Sequence, residues 1–184
     1  MLMSSKINIL EIIAGHFDTL RDTRDRLSKA DIFTFIMLPL GAGIASIILC
    51  FNLDASLSSL LVNFGSILTA LLLSVLMLVY EQESRLDSTA EISSRIIELK
   101  RKLLRELYYN ISFSIVCSLA LVSMCFLHSM ALGTTWAIAV KSYHLAIPID
   151  KWFLTPIIIV IALNLLLNML MIVKRMHTLL TAAK

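Results

Sequence analysis

The sequence predicts an all-α polytopic membrane protein with four transmembrane helices and helical extensions on the cytosolic side. Three observations predict it. Of 184 residues, 58% are apolar and only 16% charged, against roughly 25% charged in an ordinary soluble domain. Four stretches of about 20 residues, enough to cross a hydrocarbon core ~30 Å thick, contain no Asp, Glu, Lys or Arg. The basic residues fall on alternate connections between those stretches. With a mean hydropathy of +0.86, this composition excludes a soluble enzyme, a disordered chain and a disulfide scaffold.

The elements follow in order. Residues 1–31 read as a cytosolic amphipathic helix, because Ile9, Ile13, Phe17, Leu20 and Leu27 recur at helical spacing while Asp18, Arg21, Asp22, Asp25 and Arg26 lie elsewhere. This charged segment does not read as a cleaved signal peptide. Residues 32–80 hold the first two spans, 32–51 and 57–80, with a short outer turn between them. Pro39 predicts a kink in the first span, and Gly41, Ala42, Gly43, Ala45 and Ser46 a face for close packing.

Residues 81–110 predict a cytosolic helical hairpin that continues the second and third spans. No Pro or Gly interrupts 66–132, and Ser88 with Glu91 fits a capping box. Ile92, Ile96, Leu99, Leu103 and Leu107 then form a stripe. Such a stripe packs on its neighbour, lies on anionic lipid or docks a partner. Residues 111–173 hold the third and fourth spans, 111–132 and 152–173. Between them the outer loop 133–151 spaces Trp136, Val140, Tyr143 and Ile147 by 4, 3 and 4, which predicts an interfacial helix or an envelope-sensing surface. Residues 174–184 are a cytosolic tail.

The Lys and Arg pattern sets orientation. Residues 1–31, 81–110 and 174–184 carry all but Lys141 and Lys151 of the 16 basic residues, so both termini and the hairpin are expected in the cytosol.

Candidate functional residues fall into three groups. Asn164 and Asn168 share a face of the fourth span and Asn63 lies in the second; intramembrane amides glue helices together or line a pore. Arg95, Lys100, Arg101, Lys102 and Arg105 form the densest basic patch, a contact for a cytosolic partner or for lipid headgroups beyond its role as an inner-side anchor. Trp136, Lys141, Tyr143 and His144 are the outer-loop sensor candidates. Direct nucleic-acid binding is not expected, since only Tyr108 and Tyr109 accompany the basic patch. No spacing of His, Cys or carboxylates predicts a catalytic centre, a cofactor or a metal. The cysteines read as small apolar residues, with a Cys50–Cys125 bridge near the outer surface as a minor alternative.

This layout has an amphipathic arm leading through SKADIFTF into a first span IMLPLGAGIASIIL, a hairpin ending in RIIELKRKLLRELYYN, four spans and no enzyme motif. It resembles the membrane-subunit family (KwaA) of the bacterial Kiwa antiphage system. The resemblance implies an inner-membrane protein that assembles as a homo-tetramer. It also implies a cytosolic DNA-binding partner (KwaB) and a response to phage at the envelope. It carries over no site residue. The sequence thus leads to a non-enzymatic membrane scaffold and sensor that oligomerises and recruits a cytosolic partner. The alternative is a pore-forming effector that depolarises the host cell.

Overall fold

The computed structural model describes residues 9–19, 33–88, 95–131, 135–140, 143–148 and 150–181. Helix α1 (Ile9–Asp18) is followed by a π-helical turn (Phe33–Met37) that runs into α2 (Leu38–Ile48). Two long helices follow, α3 (Ala55–Ser88) and α4 (Arg95–Ala131). Strands β1 (Thr135–Val140) and β2 (Tyr143–Pro148) then precede a second π-helical turn (Asp150–Leu154) and α5 (Thr155–Thr181). Helix α4 is the centre, packed by α1, α3 and α5, and α2 packs on α5.

The segments Ala55–Arg85, Lys100–Ala131 and Asp150–Thr178 are long and apolar enough to cross a membrane. The expected first span is shorter than predicted, an apolar helix over Phe33–Ile48. Both of its ends have a local cause. Pro39 has no N–H, so the Phe35 carbonyl loses its α-helical donor and the chain widens into a π turn. The Asn164 side chain supplies the missing donor, with Nδ2 3.1 Å from Phe35 O. At the other end Cys50 takes a left-handed conformation, φ 49°. Phe51 N–H then reaches Ser46 O at 2.9 Å and Cys50 N–H reaches Ile47 O at 3.1 Å, a complete Schellman motif. Asp54 caps α3 through Leu57 N–H at 2.7 Å, so the reversal between α2 and α3 is tight.

The core runs along the α3–α4–α5 seam. Leu68, Leu72 and Val79 of α3 meet Leu104, Leu107, Ile111, Ile115, Leu121 and Cys125 of α4. Ile158, Leu165 and Ile172 of α5 add a seven-residue repeat, the period of helices packed at a shallow angle. A cross-helix bond joins Thr69 to Ser118, oxygen to oxygen 2.7 Å. All three cysteines are free thiols, so the Cys50–Cys125 bridge does not form. The outside of the bundle is apolar, with Leu60, Ile67, Met77, Phe126, Met130 and Leu170 exposed.

Two expectations change. Within the loop 133–151, Thr135–Val140 and Tyr143–Pro148 pair as antiparallel strands rather than forming an interfacial helix, with Trp136 opposite Ile147 and Val140 opposite Tyr143. Its run is rich in β-branched and aromatic residues, and strand propensity outweighs a 4-3-4 apolar spacing. The arm also turns a different face inward. Phe17, placed on the apolar stripe, is 42% exposed, whereas His16 is 2% and Thr19 9% exposed. The continuation of the arm helix over 20–29 and the capping-box Glu91 lie outside the described residues.

Close approach of α2 to α5 depends on Gly43. A Cβ there would lie 2.6 Å from Val160 Cγ2, while at Gly41 it would meet nothing within 4 Å. Gly43→Ala is expected to cost about 1–3 kcal/mol by overpacking against a stiff β-branched side chain. Gly41→Ala is expected to be neutral. Melting temperatures of the two variants in detergent check this.

Candidate functional site

The most connected polar cluster lies where α1 crosses α4 and α5. Gly15 lets the arm lie flat on the Tyr109 ring, where a Cβ would collide. One turn of contact then places His16 and Thr19 against Asn110, which is fully buried. His16 Nδ1 lies 2.8 Å from Asn110 Oδ1, and its ring stacks on Phe113 with centroids 4.0 Å apart and planes 2° from parallel. Thr19 Oγ1 lies 2.7 Å from His16 O and 2.9 Å from Asn110 Oδ1. From α5, Arg175 pairs with Glu106 of α4 at 2.6 Å and donates from Nη2 to Thr19 O at 2.7 Å. Two helices and the arm are thereby fastened by one guanidinium. Because Arg175 sits within α5, the part of the tail that reaches Thr181 is helical.

Valence limits this cluster. The single hydroxyl hydrogen of Thr19 serves one oxygen at a time, and Asn110 Nδ2 is buried without a partner among the described residues. Turning the amide over would aim two N–H donors at His16 and Thr19 and leave the oxygen unmet instead. Either way one polar atom stays unsatisfied. Burial pushes the His16 pKa down from 6.5 to about 4, against the Asn110 hydrogen bond and helped by the nearby Arg175 charge.

The sequence-predicted amides separate. Asn164 and Asn168 come together inside the chain. Asn168 Nδ2 reaches Asn164 Oδ1 at 2.7 Å and Asn164 O at 3.0 Å, while Asn164 serves the Phe35 carbonyl. Both amides point into the bundle. Asn63 does the opposite: it is exposed on α3 among Ser59, Ser66, Ala70 and Ser74, all also exposed. That face is a stripe of small and polar residues along an otherwise apolar helix.

Of the basic patch, Arg101, Lys102 and Arg105 line one cleft of about 580 Å³. Lys100 is half-buried outside that lining, and Arg95 starts α4. Trp136 and Tyr143 lie at opposite ends of the strand pair, with His144 opposite Ala139, and Lys141 falls outside the described residues. Comparison with protein-family models, curated proteins and solved structures finds no match.

Two histidines are buried: His16, which sequence reasoning misses, and His128, whose place near the end of the third span predicts an interfacial or hydrogen-bonded residue. His16 sits on a charged-looking arm, although its apolar neighbours Ile12 and Ile13 are a signal of burial. His128 is fully buried near the end of α4, and neither ring nitrogen has a hydrogen-bond partner among the described residues. A neutral imidazole there keeps one N–H and one lone pair unmet, which costs roughly 1–3 kcal/mol. His128→Leu is expected to leave stability unchanged or raise it by about 1 kcal/mol, read as the melting temperature in detergent. A large loss of stability would show that His128 is satisfied after all.

His16 gives a signed pH dependence. Its folded pKa lies below its unfolded one, so between pH 6.5 and about 4 the unfolded state binds more protons. Arm docking is therefore at full strength above pH 6.5 and weakens as pH falls toward 4, by on the order of 3 kcal/mol in total. His16→Phe keeps a ring against Phe113 and removes the titration. The difference between wild-type and variant melting temperatures is expected to shrink progressively below pH 6.5.

Proposed function

We propose that this chain is a non-enzymatic scaffold and sensor of the bacterial inner membrane, which oligomerises and recruits a cytosolic partner in antiphage defence. The observation that carries this reading is the fastening of α1, α4 and α5 by Asn110, His16, Thr19 and Arg175. It lies beside the part of the α3–α4 hairpin that runs past the apolar windows, with α4 beginning more than four turns before residue 111. A repacking of the membrane helices is thereby coupled to the arm and hairpin, the surfaces left for a soluble partner.

In this reading Phe33–Ile48 is a fourth, short span. Its 16 residues cover about 24 Å at helical rise, and local thinning of the bilayer or the following residues make up the rest. The tight reversal at Cys50 lets α2 and α3 cross in opposite directions, which supports an even number of spans with both termini on one side; the basic residues favour the cytosol for that side. The exposed stripe at Ser59, Asn63, Ser66 and Ala70 supports self-association, because an amide facing lipid gains by bonding to another protomer. The resemblance to the Kiwa membrane subunit extends the same reading to a tetramer with a KwaB-like partner. The pore alternative draws no support from Asn164 and Asn168, whose amides bond within the chain.

Affinity purification from cells that express the neighbouring genes tests recruitment. The tagged wild type is expected to bring down a cytosolic protein. Arg175→Ala, or excision of residues 86–97, is expected to reduce that yield at least several-fold while membrane insertion persists. Asn63→Leu is expected to shift cross-linked species toward the monomer. Undiminished recovery by both hairpin and clasp variants, or depolarisation of cells by the wild type alone, would overturn the scaffold reading.

A further inference from the structure

The cleft between α3 and α4 combines three features that point to one kind of ligand. The first is aromatic. Tyr80 of α3 faces the α4 residues Tyr108 and Tyr109 across it, and the two α4 rings meet edge to face, 5.9 Å apart. Tyrosines of this kind mark the boundary between hydrocarbon and headgroups. The second is charge. On α4, Arg105 stands about 4.5 Å and Lys102 about 9 Å above Tyr108 along the axis, the depth at which phosphates follow an aromatic belt. Neither Lys102 nor Arg105 has a hydrogen bond or ion pair among the described residues, although Glu83 and Glu98 line the same cleft. The third is continuity with apolar surface. Met77 and Leu73, one and two turns below Tyr80 on its own helix face, are 67% and 52% exposed.

We infer that this cleft is a binding site for the phosphodiester headgroup of an anionic phospholipid, with Lys102 and Arg105 on the phosphate, the tyrosine hydroxyls at the glycerol and the acyl chains running down the exposed face of α3. The lining charge favours a lipid over a soluble phosphate. Among the described lining residues, three cations against two carboxylates leave a single net positive charge, which suits a monoanionic diester better than a nucleotide or a nucleic-acid strand. The carboxylates, with Glu98 about two turns beyond Arg105, are placed to accept hydrogen bonds from headgroup hydroxyls. The inference rests on the proposed orientation only for which leaflet supplies the lipid. The site itself exists whichever way the chain is inserted.

Native mass spectrometry of the full-length protein in detergent tests this, after titration with phosphatidylglycerol or with phosphatidylcholine of the same chain length. Phosphatidylglycerol is expected to be retained preferentially. The double variant Lys102→Gln, Arg105→Gln is expected to lose roughly 10- to 30-fold of that retention, and Lys174→Gln, a cation outside the cleft, is expected to keep it. Circular dichroism checks that the variants remain helical. Equal retention of the two lipids, or unchanged retention in the double variant, overturns the inference. So does stabilisation by inorganic pyrophosphate that matches the lipid's and is lost in the same double variant, which reassigns the cleft to a soluble phosphate. No partner protein enters this assay, so its failure leaves recruitment untouched, and a failure of recruitment leaves the lipid site standing.

Discussion

Apart from the exposed stripe around Asn63, the polar side chains along these helices find partners inside the bundle or on their own helix, because the outer surface of the bundle is apolar over most of its length. The constraint explains features that otherwise look unrelated. Pro39 removes a backbone donor from α2, and a side chain from α5 supplies one. Thr69 and Ser118 satisfy each other across the α3–α4 seam. Ser114 and Ser123 return their hydroxyls to their own helix at Asn110 and Leu119. Each solution fixes the relative height of two helices, or costs nothing, and the polar pattern therefore sets register where a uniformly apolar seam would let helices slide.

The exceptions are informative on the same terms. Among the described residues, Asn168 Oδ1, Asn110 Nδ2 and both nitrogens of His128 are buried side-chain atoms without partners. Two of these residues lie within the networks that fasten α2 to α5 and α1 to α4, so their shortfall is offset by the bonds around them. His128 has no hydrogen-bond partner among the described residues, although the Asp150 carboxylate lies close enough to act on it electrostatically.

The long apolar helices were legible in the sequence because about 20 residues without a charge make a helix that water would not hold in solution unless another chain covered it. The extended α3 and α4 were legible because nothing between 66 and 132 breaks a helix. The strand pairing over 135–148 was not, since Trp136, Val140, Tyr143 and Ile147 satisfy a helical period and a strand composition at once, and only tertiary context arbitrates. The clasp was hidden for a different reason. Periodicity weights apolar residues, whereas the inward face of α1 is organised by His16 and Thr19, polar residues whose burial depends on partners more than 90 positions away. Asn164 and Asn168 stand out in the sequence, but spacing alone does not say whether a shared face turns to a neighbour in the same chain or to an axis between chains.

The reversal at Cys50 has a practical corollary. A residue other than glycine in that conformation holds a thiol outward at the apex of a short link, while Cys117 is half-buried and Cys125 is buried. The unaltered polypeptide thus supplies its own address label. A maleimide too polar to pass through lipid would tag that apex in intact cells if it faces outside and only after permeabilisation if it faces the cytosol, and so report the sidedness of the whole molecule without a single engineered change.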